Sequence, residues 1–378
     1  MDKYLRHRKT WSLLYRLLHR YIETRFDFSH DVFSAPGPCI VIPNHVTAWD
    51  PLLVAMSFPE KQMYFVASEH LFRKGLVTSV LNYLVEPISR KKASMGADTV
   101  KACLRHLKEG RSICLFAEGE ASWDGLSGKI FEATGKLVRI SGASLVTYRI
   151  EGGYLSLPRW GKGLRRGRMK GGVVRCYSPE ELKAMSPGEI NQAIDRDIYE
   201  DAWQRQKEER TAFKAARPAE LLERGLFLCP ECRRIGRLQS RGRSISCSCG
   251  FSREYGEQGF FQPPSPFESF VQWDRWQHER LKALDFEHGE ELFADEGLCL
   301  SRVEPGHREE RLGRGRLSQR EGELIWAGHS FSLDKINSMA MVQANILLFT
   351  EGDKYYELKA EGAVCLRKYL AHWENKRQ

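Results

Sequence analysis

Four of the chain's ten cysteines fall within 21 residues, in the pattern Cys229-x2-Cys232-x14-Cys247-x-Cys249. Each short pair forms a bidentate knuckle, and two knuckles supply four thiolates to one tetrahedral ion. Protein fills every position of that tetrahedron, so the ion expected is a structural zinc rather than a catalytic one. Such a ribbon is too small to hold a hydrophobic core and folds around its metal. The pattern therefore cuts the chain of 378 residues at about 223–256. The segments on either side of this module must build cores of their own. Cys39, Cys103, Cys114, Cys176, Cys299 and Cys365 are scattered among apolar neighbours and read as reduced, buried side chains.

Ahead of the module, β-rich runs alternate with helical patterns. Strands are expected at Cys39–Ile42, Met63–Ala67, Ser112–Ala117, Ser144–Ile150 and Gly172–Cys176, with helices near 51–57, 75–84, 96–109 and 131–140. Ser94 is a candidate cap for the third of these helices, and Gly110 its end. Ser178-Pro179-Glu180-Glu181 and Ser186-Pro187-Gly188-Glu189 both have the capping-box pattern with proline at the first helical position. They predict two closing helices, the second running to about 215. This alternation specifies an α/β layer domain over residues 31–222. Beyond the ribbon, Gln262-Pro263-Pro264-Ser265-Pro266 reads as a linker, and 269–284 as a helix, within a connecting segment 257–288. Residues 289–378 then change to short alternating strands, with turns at Glu321-Gly322 and Glu351-Gly352-Asp353 and a last helix near 361–374. That layout is similar to pleckstrin-homology-like domains.

The net charge of +9 is unevenly placed. Residues 1–30 carry seven Lys/Arg against three acids, and residues 158–170 carry six with no acid. Cations interleaved with aromatics suit phosphate groups, of lipid or of nucleic acid. Over residues 11–25, Trp11, Leu14, Tyr15, Leu18 and Ile22 share one helical face, a stripe that fits either a protein core or a lipid headgroup region. No apolar run reaches the roughly 18 residues of a membrane span, and no secretory signal is legible, so the expected place is the cytosol or the inner face of a membrane.

The most informative segment is Ile42-Pro43-Asn44-His45-Val46-Thr47-Ala48-Trp49-Asp50-Pro51, where a strand hands over to a helix. Asp50 before Pro51 fits an N-cap and first-turn pair. A carboxylate there can also hold one nitrogen of His45 and leave the other as a base toward an alcohol. Asn44-His45 with Asp50, then Glu86-Pro87-Ile88-Ser89-Arg90, Phe116-Ala117-Glu118-Gly119 and Ala143-Ser144-Leu145-Val146-Thr147-Tyr148, stand in the order of four blocks. In that order and spacing, residues 35–205 resemble the glycerolipid acyltransferases, typified by 1-acyl-sn-glycerol-3-phosphate acyltransferases.

The resemblance implies direct acyl transfer from a thioester donor, acyl-CoA or acyl-carrier protein, to a lysophospholipid hydroxyl in phospholipid biosynthesis. It implies His45 and Asp50 as catalytic residues and Asn44, Arg90, Glu118 and Gly119 as substrate-binding ones, with Arg90 for a phosphate and Glu118 either fixing the acceptor or buttressing the loop. One departure bears on the acceptor: Ala117 stands in place of the family's proline, and Glu120-Ala121 in place of its Thr-Arg. Partners then include an anionic membrane surface, and nucleic acid is not expected. The alternative reading is a zinc-ribbon protein that binds nucleic acid through Arg233, Arg234, Arg237, Arg241 and Arg243, with a vestigial acyltransferase domain.

Overall fold

The computed structural model describes residues 3–70, 79, 82–90, 96–284, 290–304 and 308–377. The chain divides into two compact units, Met1–Pro158 with Leu164–Phe213, and Arg159–Gly163 with Lys214–Gln378.

The first unit is an α/β layer domain. Its strands are β1 (Phe28–His30), β2 (Cys39–Pro43), β3 (Met63–Ser68), β4 (Ile88–Arg90), β5 (Ser112–Cys114), β6 (Ser144–Glu151) and β7 (Met169–Tyr177), in the order β1-β7-β6-β2-β5-β3-β4. All neighbours are parallel except β6 and β7. Every residue of β2 is buried, as expected of a central strand covered on both faces. One face packs Trp11, Leu53, Met63 and Val146 against it, and the other Tyr64, Ile113, Leu145 and Ile190. Because β2 to β6 run parallel, Pro43, Ser68, Arg90, Cys114 and Glu151 all end at one rim, the edge where α/β sheets place ligands.

Helix α1 (Lys3–Phe26) settles which way its stripe faces. Trp11 and Ile22 are buried, and Leu14, Tyr15 and Leu18 pack on the same core. The opposite face exposes a second apolar row, Leu13, Leu17 and Tyr21 at four-residue spacing. Helix α2 (Asp50–Met56) leaves the rim after β2, and α3 (Ala97–Lys108) starts at Gly96 and stops where Gly110 takes a positive φ. The helix expected near 75–84 falls largely outside the described residues, as does Ser94. Next come α4 (Ala133–Ser141), α5 (Gly153–Ser156), α6 (Pro179–Ala184) and α7 (Pro187–Ile198), the last two with complete capping boxes. The helix expected to run to 215 instead stops at Ile198. Asp201 then starts α8 (Ala202–Glu209) by accepting from the N–H groups of Trp203 and Gln204. The expected strand Ser112–Ala117 ends at Cys114, although the Leu115 N–H still donates to the Val41 carbonyl, and a turn begins at Ala117.

The second unit contains the ribbon and a mostly β domain. Strands β8 (Leu238–Arg241), β9 (Ser244–Cys247), β10 (Ser252–Tyr255) and β11 (Phe261–Gln262) form an antiparallel sheet in the order β11-β10-β9-β8. The proline-rich stretch read as a linker thus begins inside this sheet, with Phe261 paired to Tyr255. Helix α9 (Phe270–Lys282) comes next. Strands β12 (Glu291–Val303), β13 (Glu309–Arg320), β14 (Glu323–Trp326), β15 (His329–Ser332), β16 (Ile336–Val342), β17 (Ile346–Glu351) and β18 (Lys354–Lys359) make one antiparallel sheet, β15-β14-β13-β12-β18-β17-β16, closed by α10 (Arg367–Lys376). Residues 159–163 belong to this unit. Trp160 is fully buried, stacked on Phe270 with centroids 5.9 Å apart, and the Arg159 guanidinium donates to the backbone oxygens of Met341 and Gln343. This part of the basic stretch 158–170 is thereby committed to protein rather than to an outside surface.

Candidate functional site

The turn after β2 is organised by Asp50. The expected N-cap role is not the one it takes: Asp50 is the first residue of α2, and its carboxylate makes no cap bond to the helix. It folds back instead onto the preceding turn. Oδ2 accepts from His45 Nδ1 at 2.8 Å and from the N–H of Val46 at 2.6 Å, while Oδ1 accepts from the Thr47 N–H at 3.0 Å and the Thr47 hydroxyl at 2.7 Å. Asp50 is fully buried, a placement a carboxylate tolerates only with such a set of donors. The result orients the imidazole: in its neutral form Nδ1–H is spent on Asp50, which leaves the lone pair on Nε2. The ring is about one-fifth exposed and lies 4.4 Å from that of Phe116, centroid to centroid.

The backbone of this turn is pinned from two other places. Asn44, expected at the substrate, spends its whole amide on Ile150 in β6: Nδ2 donates to the carbonyl at 2.9 Å and Oδ1 accepts from the N–H at 2.7 Å. It is fully buried and acts as a tie between strands. Glu118 accepts from the N–H of His45 at 2.6 Å through Oε1 and from the N–H of Gly128 through Oε2. Burial pushes its carboxyl up to about 8, and those two N–H donors only partly offset that. Both oxygens therefore serve the loop.

Gly119 has φ of +84° and packs so closely that a Cβ would meet the Phe131 ring at 2.6 Å, so only glycine fits. Its N–H is directed to the Phe116 carbonyl, and its carbonyl accepts from Arg90 Nη2 at 2.8 Å. Arg90 also lies over the Phe131 ring, 5.2 Å from the centroid. The guanidinium is buried, which lowers its basicity, yet Nη1 has no hydrogen-bond partner.

His45, Arg90 and Gly119 all border a cavity of about 470 Å³. Its walls are apolar, including Trp11, Leu14, Leu52 and Phe65. Gln62, Met63, Phe65, Val66, Ala67 and Ser68 all border it, so the space lies beside β3. A base facing an apolar slot beside an unsatisfied guanidinium can activate a hydroxyl on a molecule with both an aliphatic chain and an anionic group. Sequence reasoning missed Ser68, Phe116 as a ring neighbour and Phe131. The one available signal for Ser68 was its place at the end of a strand on the rim.

The four cysteines come together as their spacing requires. Sγ of Cys229 lies 3.7 Å from that of Cys249, and Cys232 lies 3.7 Å from Cys247; all four atoms fall within 4.8 Å of one another. Bonds of about 2.3 Å to a central zinc give a tetrahedral edge of about 3.8 Å, so the donor set fits that ion. Backbone N–H groups of Glu231 and Cys232 point at the Cys229 sulfur, and that of Phe251 at Cys249, support that thiolates require.

Residues 25–151 match the family model described as Acyltransferase, so this segment is an acyltransferase-family domain. That bears out the resemblance carried by the four blocks. Among solved structures, the chain is similar to the crystal structure of the 1-acyl-sn-glycerophosphate (LPA) acyltransferase PlsC from Thermotoga maritima. The identity is 18% and the TM-score 0.41, over 50% of this chain and 76% of that one.

Proposed function

We propose that the protein moves a fatty acyl group from a thioester donor, acyl-CoA or acyl-carrier protein, to the hydroxyl of a lysophospholipid, with 1-acylglycerol 3-phosphate the favoured acceptor. The observation that carries this reading is His45, locked through Nδ1 by a buried Asp50 and bordering an apolar cavity together with Arg90. Nε2 takes the acceptor's hydroxyl proton as its oxygen attacks the thioester carbonyl. The carbon–sulfur bond then breaks, the new ester forms, and the imidazolium returns the proton to the departing thiolate. Asp50 stabilises the transient imidazolium. No covalent acyl-enzyme is required. Arg90 Nη1 binds the acceptor phosphate, and the cavity along β3 holds an acyl chain. Asn44 and Glu118 keep the His45 backbone in place and touch no substrate.

The same reading makes the protein a peripheral one on the inner face of the membrane. No described helix is long and apolar enough to cross a bilayer. Leu13, Leu17 and Tyr21 project from α1 next to Arg16 and Arg20, an apolar row with a cationic flank suited to anionic headgroups. Zinc, held by Cys229, Cys232, Cys247 and Cys249, shapes the ribbon and takes no part in the reaction.

The test is an acyl-transfer assay with both donor types against a panel of lysolipids. His45→Ala should lower turnover by roughly 10²–10⁴-fold, the usual cost of removing a positioned base, with fold and zinc content kept. An active His45→Ala protein, or a folded wild type that acylates no lysolipid, overturns the proposal.

A further inference from the structure

Ser68 is the last residue of β3, and Arg90 the last of β4. The two are direct partners in the parallel ladder, so they sit side by side on one face of the sheet, with strands about 4.8 Å apart. Both border the cavity that His45 borders. Each carries a buried polar atom without a hydrogen-bond partner, Oγ of Ser68 and Nη1 of Arg90, and Arg90 is only 6% exposed. A buried hydroxyl or guanidinium N–H left unpaired is costly, and native proteins rarely leave two together without a ligand to receive them. Both are donors. What satisfies both at once is an acceptor with adjacent oxygens, and the positive charge of Arg90 makes an anionic one the best match.

We infer that Ser68 is a second ligand of the acceptor's phosphate: its hydroxyl and Arg90 Nη1 each donate to a phosphate oxygen of the lysophospholipid. This rests on the acyltransferase reading and adds to it a residue outside the four blocks. It also bears on the Glu120-Ala121 departure, because the phosphate gains its second donor from β3 and not from the loop after Gly119. The Ser68 hydroxyl brings direction without charge. It therefore sets where the phosphate, and with it the acceptor's free hydroxyl, lies relative to His45.

The experiment measures binding and kinetics of full-length protein with 1-oleoyl-sn-glycerol 3-phosphate and with monooleoylglycerol, which has the same chain and no phosphate. Ser68→Ala should weaken binding of the phosphate-bearing lipid about tenfold and raise its KM similarly, with kcat changed less than threefold. Binding of monooleoylglycerol and the KM of the thioester donor should not move. Ser68→Thr, which keeps the hydroxyl, should restore most of the affinity. Equal loss for both lipids, an effect on the donor's KM alone, or no effect at all overturns the assignment. Binding is read without turnover, so a protein that binds the phosphate lipid through Ser68 but transfers no acyl group keeps this inference while refuting the reaction. Wild type that does not prefer the phosphate-bearing lipid refutes the inference.

Discussion

The cysteine quartet draws its four sulfur atoms from 21 consecutive residues, whereas the His45 site gathers polar groups from four separate stretches between residues 44 and 119. In the ribbon, two knuckles and one hairpin suffice to bring the donors within 4.8 Å. At the rim of the first unit no local rule brings residue 45 near 68, 90 or 118. A parallel sheet does so, by ending β2, β3, β4 and β5 at one edge. On the proposed reading the ribbon depends on a bound metal for its shape, while the rim depends on its framework. The two sites should therefore fail in different ways.

The largest effect is expected in the ribbon. Cys247→Ser removes one of four thiolates, and although Ile245, Phe251 and Tyr255 are buried, the latter two against Trp273 and Trp160, the module should lose zinc and much of its order, since metal binding supplies a large part of its folding free energy. Metal analysis should find about one zinc per wild-type chain and less than half of that in the variant, with a matching loss of amide protection over residues 226–256. Acyl transfer, which needs no metal on this reading, should keep most of its rate in detergent-solubilised substrate. A wild type with less than half an equivalent of zinc would remove the contrast between the sites.

The same difference explains how far each site was legible. Cys229, Cys232, Cys247 and Cys249 were readable from spacing alone. His45 and Asp50 were readable as a pair, but not the detail that Asp50 turns back onto Val46 and Thr47 instead of capping its helix. That choice depends on the turn's own N–H groups, and a favourable N-cap pattern does not report it. Asn44 and Glu118 were found as members of blocks, but their hydrogen bonds to Ile150, Gly128 and the His45 backbone were not legible, because only the folded sheet creates those contacts. The α/β alternation was legible because buried parallel strands are continuous apolar runs. The three-residue strands β1 and β4 were not, being too short to show a period. The α1 stripe was correctly placed on one face and left between core and lipid; packing assigned it to the core, and the row that faces out went unread.

A smaller effect sharpens the contrast from the framework side. Glu118 is a carboxyl whose folded-state value is raised to about 8, chiefly by burial. An acid raised in this way binds its proton more tightly folded than unfolded. Its contribution to stability is thus complete below the ordinary carboxyl range near 4.5, declines as pH rises, and is fully lost above about 8. Wild-type stability should fall between these limits by an amount on the order of 4 kcal/mol. Glu118→Gln should be less stable at low pH, because its amide nitrogen faces a backbone N–H, and should lack that slope. Denaturant melts at pH 5, 6.5 and 8 decide it. Equal slopes in the two proteins would mean that Glu118 does not titrate in this window.

The smallest effect concerns the outward row of α1, where the first unit presents apolar surface that its own framework does not use. Leu17 is 66% exposed and Leu13 58%, so replacing either should change folding stability by less than about 0.5 kcal/mol. If the row enters the headgroup region, Leu17→Asp removes buried apolar area and adds a charge that anionic lipid repels, and vesicle affinity should fall several-fold. Arg16→Gln with Arg20→Gln should weaken binding more on anionic than on neutral vesicles, and added salt should erase that difference. Trp160 supplies the control from the second unit. It is a buried aromatic in a basic stretch that reads, by sequence, as equally suited to lipid, and Trp160→Phe should leave vesicle binding unchanged. Co-sedimentation of the three variants separates the possibilities. A Leu17→Asp protein that binds as well as wild type would return the membrane contact to the remainder of the basic surface. Loss in Trp160→Phe at unchanged stability would show that the burial of that ring does not exclude it from lipid.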